Sequence, residues 1–184
     1  GIQVGEDLMS RVFAQGANAT EVVLQTMQDD PREEVQAFGC RAISQIAEKP
    51  EGREALHSSS GVEVVVAAMM SAQPDEVEVQ AHGCSALANL AIDWGSAVIA
   101  KSGLDAVLEA AKVHLAEATV QRKACLALGN LAFSAEGEAK VLATGGLETV
   151  VAAMKAHPKD DKVQEEGIDA LVNIADSVDG KKRL

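Results

Sequence analysis

The chain has 184 residues, 47% of them apolar, enough to bury a core in one domain or one short solenoid. Aromatic residues make up only 2%, with no Tyr, which argues against a sheet protein and against a platform for stacked nucleic-acid bases. A net charge of −12 disfavours phosphate backbones, and no uninterrupted apolar run approaches the ~20 residues that span a bilayer, so neither nucleic acid nor membrane insertion is expected.

Three cysteines, an odd number, point to a reducing intracellular compartment, the cytoplasm first and the nucleus second. No charged-then-apolar leader is visible.

Taken in chain order, the elements fall into a cycle of three. Gly5 to Gln15 reads as a short helix. Asn18 opens NATEVVLQTM, apolar for about two turns, and Asp30 and Pro31 then signal the start of a longer helix carrying VQAFGCRAISQIA, Val35 to Ala47. EGREALHSS from Glu51 is followed by SGVEVVVAAM from Ser60 and, after Pro74 and Asp75, by VQAHGCSALANLA, Val79 to Ala91. The set recurs as WGSAVIAKS from Trp94, SGLDAVLEAA from Ser102 and VQRKACLALGNLA, Val120 to Ala132. It recurs again as EGEAKVLAT from Glu136, GGLETVVAAM from Gly145 and VQEEGIDALVNIA, Val163 to Ala175. Asp179 to Leu184 aligns with Glu51 to Leu56, the start of a further first helix.

The period is about 42 residues. In the second long element Val79, Cys84, Leu87, Leu90 and Ala91 fall mostly on one face of a 3.6-residue period. Ser60 and Ser102 stand where an N-cap would. A short, a medium and a longer helix per repeat predict an all-α, right-handed α-solenoid.

The recurring A-L-x-N-[LI]-A core, at Ala86 to Ala91, Ala127 to Ala132 and Ala170 to Ala175, resembles the armadillo repeats. HEAT repeats are the second candidate, but they have two helices and usually lack the short first one. The resemblance covers the chain as one domain, 1–184, with about four repeats at 5–48, 51–92, 94–133 and 136–176, the first and last incomplete, and 179–184 opening another. Neither end carries a polar cap, so the chain is expected to be part of a longer array or to pack end-on, with end-to-end self-association as one form of this.

The repeated positions divide into core and candidate site. Cys40, Cys84 and Cys125 share one position with Ile168, which marks it as buried and apolar. Stacked helices about 8–10 Å apart exceed the ~7 Å reach of a disulfide, and neither a metal nor a redox site is expected there. Gly39, Gly83 and Gly167, with Ala124, share the neighbouring position, which suggests a closely approaching helix. Asn89, Asn130 and Asn173, with Gln45 in the first copy, are equivalent and lie mid-helix, where asparagine is a mediocre helix former. One explanation is that the amide bonds backbone or loop groups of the next repeat.

The armadillo resemblance implies another: an amide ladder lining the concave groove and bonding the main chain of an extended peptide. An amide offers both donor and acceptor to a peptide unit, and a ~10 Å repeat is close to three extended residues. One turn earlier lie Arg41, Ser85, Leu126 and Asp169, which would set specificity. Import receptors of the family often carry Trp there, and its absence argues against that mode of reading a nuclear-localisation signal.

The same stripe runs through Glu34, Glu78, Thr119 and Lys162, and through Phe38, His82, Lys123 and Glu166. It is mixed in sign, so the expected partner is a protein segment of mixed or basic charge. Gln36, Gln80, Gln121 and Gln164 read first as helix-to-loop ties and second as another ladder. Trp94 reads first as a packing residue and second as an exposed anchor.

No nucleotide motif and no H-E-x-x-H occurs, and His57, His82, His114 and His157 fall in different elements. The expectation is a non-catalytic protein-binding scaffold without cofactor. The alternative is a structural subunit docked in a larger assembly through its ends and convex faces.

Overall fold

The computed structural model describes residues 19–72 and 76–175. The elements read at Gly5 to Gln15 and Asp179 to Leu184 lie outside them. The described residues form ten α-helices and no strand: α1 Ala19–Asp29, α2 Glu33–Ile46, α3 Pro50–Ser58, α4 Gly61–Ser71, α5 Val77–Ala100, α6 Gly103–Val113, α7 Ala118–Leu131, α8 Ala135–Ala143, α9 Gly146–Ala156 and α10 Asp161–Ile174. The middle elements α1, α4, α6 and α9 each begin one residue after Asn18, Ser60, Ser102 and Gly145. The long elements are α2, α7, α10 and the first part of α5; α3 and α8 are short elements.

One junction departs from the pattern. The long helix of the second repeat runs on into the short helix of the third as the single 24-residue α5, through a kink at Trp94 (φ −125°, ψ 31°). The cause is local. Elsewhere the short helix is started by Pro50, or by Ser134, whose Oγ accepts the Gly137 N–H at 3.1 Å. At the fused junction the one capping-type residue, Asp93, is instead held by Arg53 Nε, so nothing stops the helix. By length and composition α5 would suffice to cross a bilayer, which the interrupted apolar runs do not suggest. Half of that stretch is buried inside the fold, where α5 packs on α2 and α7.

The long helices pack on one another in the order α2, α5, α7, α10, while α1, α4, α6 and α9 touch each other far less. A stack tight on one side and splayed on the other must curve, so the long helices line the inner face of a right-handed solenoid. Ile43, Leu87, Leu90, Leu128, Leu131 and Ile174 on these helices are among the largest fully buried side chains. Burying each is worth about 1.5–3 kcal/mol.

The glycine position is explained by the helix behind it. A Cβ on Gly39, Gly83 or Gly167 would lie 2.3, 2.4 or 2.5 Å from the Cγ of Met27, Met69 or Met154. The third repeat has Ala124 at the glycine position and Ala111 at the methionine position, so bulk has moved from one helix to the other.

Ser60 and Ser102 occupy N-cap positions, but neither side chain caps the helix. What these sites need is a left-handed backbone: φ is 62° at Ser60, 61° at Ser102 and 85° at Gly145. The glutamines are ties. Gln36 Nε2 donates to the carbonyls of Met27 (2.8 Å) and Asp30 (2.7 Å), Gln121 to Ala111 (2.8 Å) and His114 (2.9 Å), Gln164 to Met154 (2.9 Å) and His157 (3.0 Å), and Gln80 to Met69 (2.8 Å). Each closes the C-terminal end of a middle helix, where carbonyls lack helical partners.

Cys40, Cys84 and Cys125 are unpaired and buried, and burial pushes each thiol up to about 12, so they serve as core atoms. Ile168 is a correction to the sequence reading: it is 54% exposed, because among the described residues no further long helix covers α10 as α5, α7 and α10 cover the preceding copies.

Candidate functional site

The inner face carries the asparagine ladder. Nδ2 of Asn89 donates to the carbonyl of Ser44 at 2.9 Å, that of Asn130 to Ala88 at 2.9 Å and that of Asn173 to Gly129 at 3.1 Å. Each acceptor is the residue immediately before the ladder position of the preceding repeat. The amides therefore staple neighbouring long helices, and they do so to the preceding repeat rather than to the next one. The staple uses one of the two N–H groups of Asn130 and Asn173, while Nδ2 of Asn89 also reaches the Ser44 hydroxyl at 3.5 Å. Among the described residues nothing bonds the three Oδ1 atoms, and all three side chains are half-buried. Gln45, at the head of the ladder, is exposed.

Asn130 and Asn173 line a cleft of about 240 Å³ between α7 and α10, together with Leu126, Gly129, Glu166, Asp169 and Val172. An amide with a free donor and a free acceptor in the lining of such a cleft can bond a peptide unit in both senses. The four flanking positions are unequal. Arg41 and Asp169 are exposed and Leu126 is half-buried. Ser85 is only 7% exposed, and its Oγ accepts the Ser44 hydroxyl at 2.9 Å. Ser85 thus belongs to the contact between α2 and α5: a serine is too short to reach past the neighbouring helix, whereas the arginine at the same position in the first repeat is not.

Charge along the groove is mixed in sign. His82 lies half-buried between Arg41 of α2 and Lys123 of α7. Burial and then Arg41 hold its imidazole below the usual value, Glu78 pulls the other way, and Lys123 lowers it further. Burial and Arg122 lower the Lys123 ammonium, against Glu166 and Glu48. Burial raises the Glu166 carboxyl despite Arg122 and Lys123, with Asp169 and Glu165 adding to the rise. From α2 to α10 the groove carries Arg41, His82, Lys123 with Arg122, then Glu166 and Asp169, with Glu34, Glu78 and Lys162 on the same stripe.

Trp94 lies outside this groove's ladder. Its ring stacks on His57 with centroids 3.8 Å apart and planes 6° from parallel, which is the packing role across two short helices. The expected ladder positions overlooked two apolar residues. Ile92 is 54% exposed and Phe133 84% exposed, each three residues after a ladder asparagine. The signal was present in the sequence, since Ile and Phe stand where the first and last copies have Glu48 and Asp176. Among the described residues, no group of three or more His, Cys, Asp or Glu is placed to hold a metal ion.

No protein-family model and no curated protein matches the chain. Solved structures do. An engineered protein from a structural-genomics consortium shares 27% identity with a TM-score of 0.82, over 98% of this chain and 76% of that one. A designed armadillo repeat protein in complex with the peptide (KR)4 shares 22% identity with a TM-score of 0.78, over 99% of this chain and 76% of that one. A computationally designed armadillo repeat protein for modular peptide recognition gives the same identity, TM-score and coverage. The fold is therefore an armadillo-like repeat solenoid.

Proposed function

We propose that this chain is a non-catalytic binding scaffold that holds an extended segment of a partner protein in its inner groove. Asn89, Asn130 and Asn173, continued by Gln45, would bond the main chain of that segment, and Arg41, Leu126 and Asp169 would select its side chains. The observation that carries the reading is the half-used amide: each ladder asparagine spends Nδ2 on the preceding helix and keeps its Oδ1, and Asn130 and Asn173 also keep their second N–H. The designed neighbours, one complexed with (KR)4 and one made for modular peptide recognition, support the same reading. A reducing intracellular compartment suits the three unpaired thiols.

Selection from a displayed random-peptide library on the wild-type protein tests this. Enriched peptides are expected to lose about tenfold or more of their affinity for Asn130→Ala/Asn173→Ala, each lost pair of amide bonds being worth about 1–3 kcal/mol. Circular dichroism must show that the variant is folded, since each substitution also removes a staple. Peptides that bind the folded variant as tightly as wild type would refute the ladder.

A second reading, docking within a larger assembly, is favoured by the outer face. A cleft of about 540 Å³ between α6 and α9 is lined by Leu108, Leu115 and Thr149, and Met70, Val113 and Leu115 are exposed.

A further inference from the structure

We infer that the solenoid continues across copies: the front of α2 of one molecule docks on the rear of α10 of a second, head to tail, in the register that joins the long helices inside the chain. The inference concerns the two end faces of the described array and is independent of the groove reading.

Three internal junctions define that register. The ladder asparagine of each long helix meets the carbonyl of the residue just before the ladder position of the preceding one, at Ser44, Ala88 and Gly129. The flanking position of the second helix meets that same residue, as Ser85 meets Ser44. The cysteine position meets the position held by Phe38, His82, Lys123 and Glu166 on the next helix: burial raises the Cys125 thiol, and Glu166 across the junction adds to the rise. Carried over to a second copy, the same register sets Phe38 on Ile168, Arg41 on Val172 and Gln45 on the Val172 carbonyl.

These are positions at which the end repeats depart from the inner ones, and the departures complement each other. Ser44, Ala88 and Gly129 are small and let the next helix come close; a Cβ on Gly129 would lie 3.1 Å from Cα of Ala170. Val172 stands there on α10 and is 63% exposed. A bulkier residue holds the next helix farther off, and Gln45, exposed at the head of the ladder, is one methylene longer than the asparagines. Ile168 replaces cysteine and is 54% exposed, and the half-buried Phe38 replaces the His, Lys and Glu of the other copies. An apolar pair thus forms where the inner junctions set a thiol against a polar side chain. The exposed Arg41 lies one turn from Asp169 in this register, so its stem covers Val172 while its cation meets the carboxylate. Glu34 falls beside Glu165, as Lys162 falls beside Arg122, but Lys162 already pairs with Glu165 at 2.9 Å. Front and rear are different surfaces, so the contact is heterologous and propagates beyond a dimer.

Sedimentation equilibrium of the 184-residue protein over about three decades of concentration tests the inference. The mass is expected to climb past that of a dimer without a plateau. Phe38→Lys, which copies the third repeat, and Ile168→Lys/Val172→Lys, at two exposed sites, should each give a monomer with an unchanged circular dichroism spectrum. Mixed, the two variants should form a one-to-one dimer and nothing larger, because the intact front of one meets the intact rear of the other. Gln45→Ala and Arg41→Asp, on exposed front positions where the fold is not at stake, should each weaken association about tenfold. A protein that stays monomeric throughout would overturn the inference. So would self-association that ignores Phe38→Lys and Arg41→Asp, which is pairing of α10 with α10 or of outer faces, and so would variants that fail to dimerise when mixed. None of these results bears on peptide binding in the groove.

Discussion

The methionine above each inner-helix glycine offers a quantitative test of how the repeats interlock. Consider Gly83, where an added Cβ would sit 2.4 Å from Cγ and 2.5 Å from Sδ of Met69, itself only 3% exposed. Gly83→Ala gains about 1 kcal/mol of helix propensity and loses about 1–3 kcal/mol to overpacking, for a net cost of about 0–2 kcal/mol. Met69→Ala alone empties the space over Gly83 and should cost about 2–5 kcal/mol. The double variant recreates Ala111 over Ala124 of the third repeat. There the new methyl fills part of the emptied space and the propensity gain is free of the clash, so the total should fall about 1–2 kcal/mol short of the sum. Urea unfolding of the four proteins, followed by circular dichroism, measures the cycle. Equal m-values are required first, because a repeat array can lose cooperativity. Additivity within about 0.5 kcal/mol would refute the idea that methionine bulk is why glycine stands on the inner helix.

Three further outcomes follow from the same structure. Replacing Ser60 or Ser102 with Gly should stabilise the protein by about 0.5–1 kcal/mol, and Gly145→Ser should destabilise it by a similar amount, because all three backbones are left-handed; urea midpoints decide it. Arg53 is buried, with Nη1 on the carbonyls of Ala47 (3.1 Å) and Glu48 (3.2 Å) and Nε on Asp93. Arg53→Ala should cost about 2–4 kcal/mol in the same assay, and Asp93→Ala should also destabilise, because it leaves the buried guanidinium without its carboxylate. His82 titrates below its ordinary value of 6.5 because it is buried between Arg41 and Lys123, with Glu78 opposing. The unfolded chain then takes up the proton first, so stability falls as pH drops below about 6.5, and His82→Gln should flatten that slope. Glu166, raised from 4.5, acts in the opposite sense as pH rises, so the wild-type minus His82→Gln difference is the quantity to compare. A slope unchanged by His82→Gln would remove the imidazole from the account.

Repetition made most of this molecule legible in its sequence. Four aligned copies expose which positions stay apolar, small or amide-bearing, and the physics of a helix converts each spacing into a face; Leu87, Leu90, Leu128 and Leu131 are buried where the period puts them. The glycine position, the glutamine ties and the buried thiols were readable for the same reason, since a residue type kept through every copy answers a contact kept through every copy. Contacts that differ between copies needed the tertiary structure. Arg41, Ser85, Leu126 and Asp169 share one register, yet a short hydroxyl turns to Ser44 while a long cation reaches solvent, an outcome set by side-chain length against the neighbouring helix. Ile168 repeats a core position and is exposed because burial depends on what is stacked above it. Whether α5 breaks at Trp94 depended on Arg53, forty residues away in sequence, taking the carboxylate that could have capped the next helix. The split of each ladder amide between a staple and a free face was likewise a matter of distance to the preceding carbonyl, which periodicity does not encode.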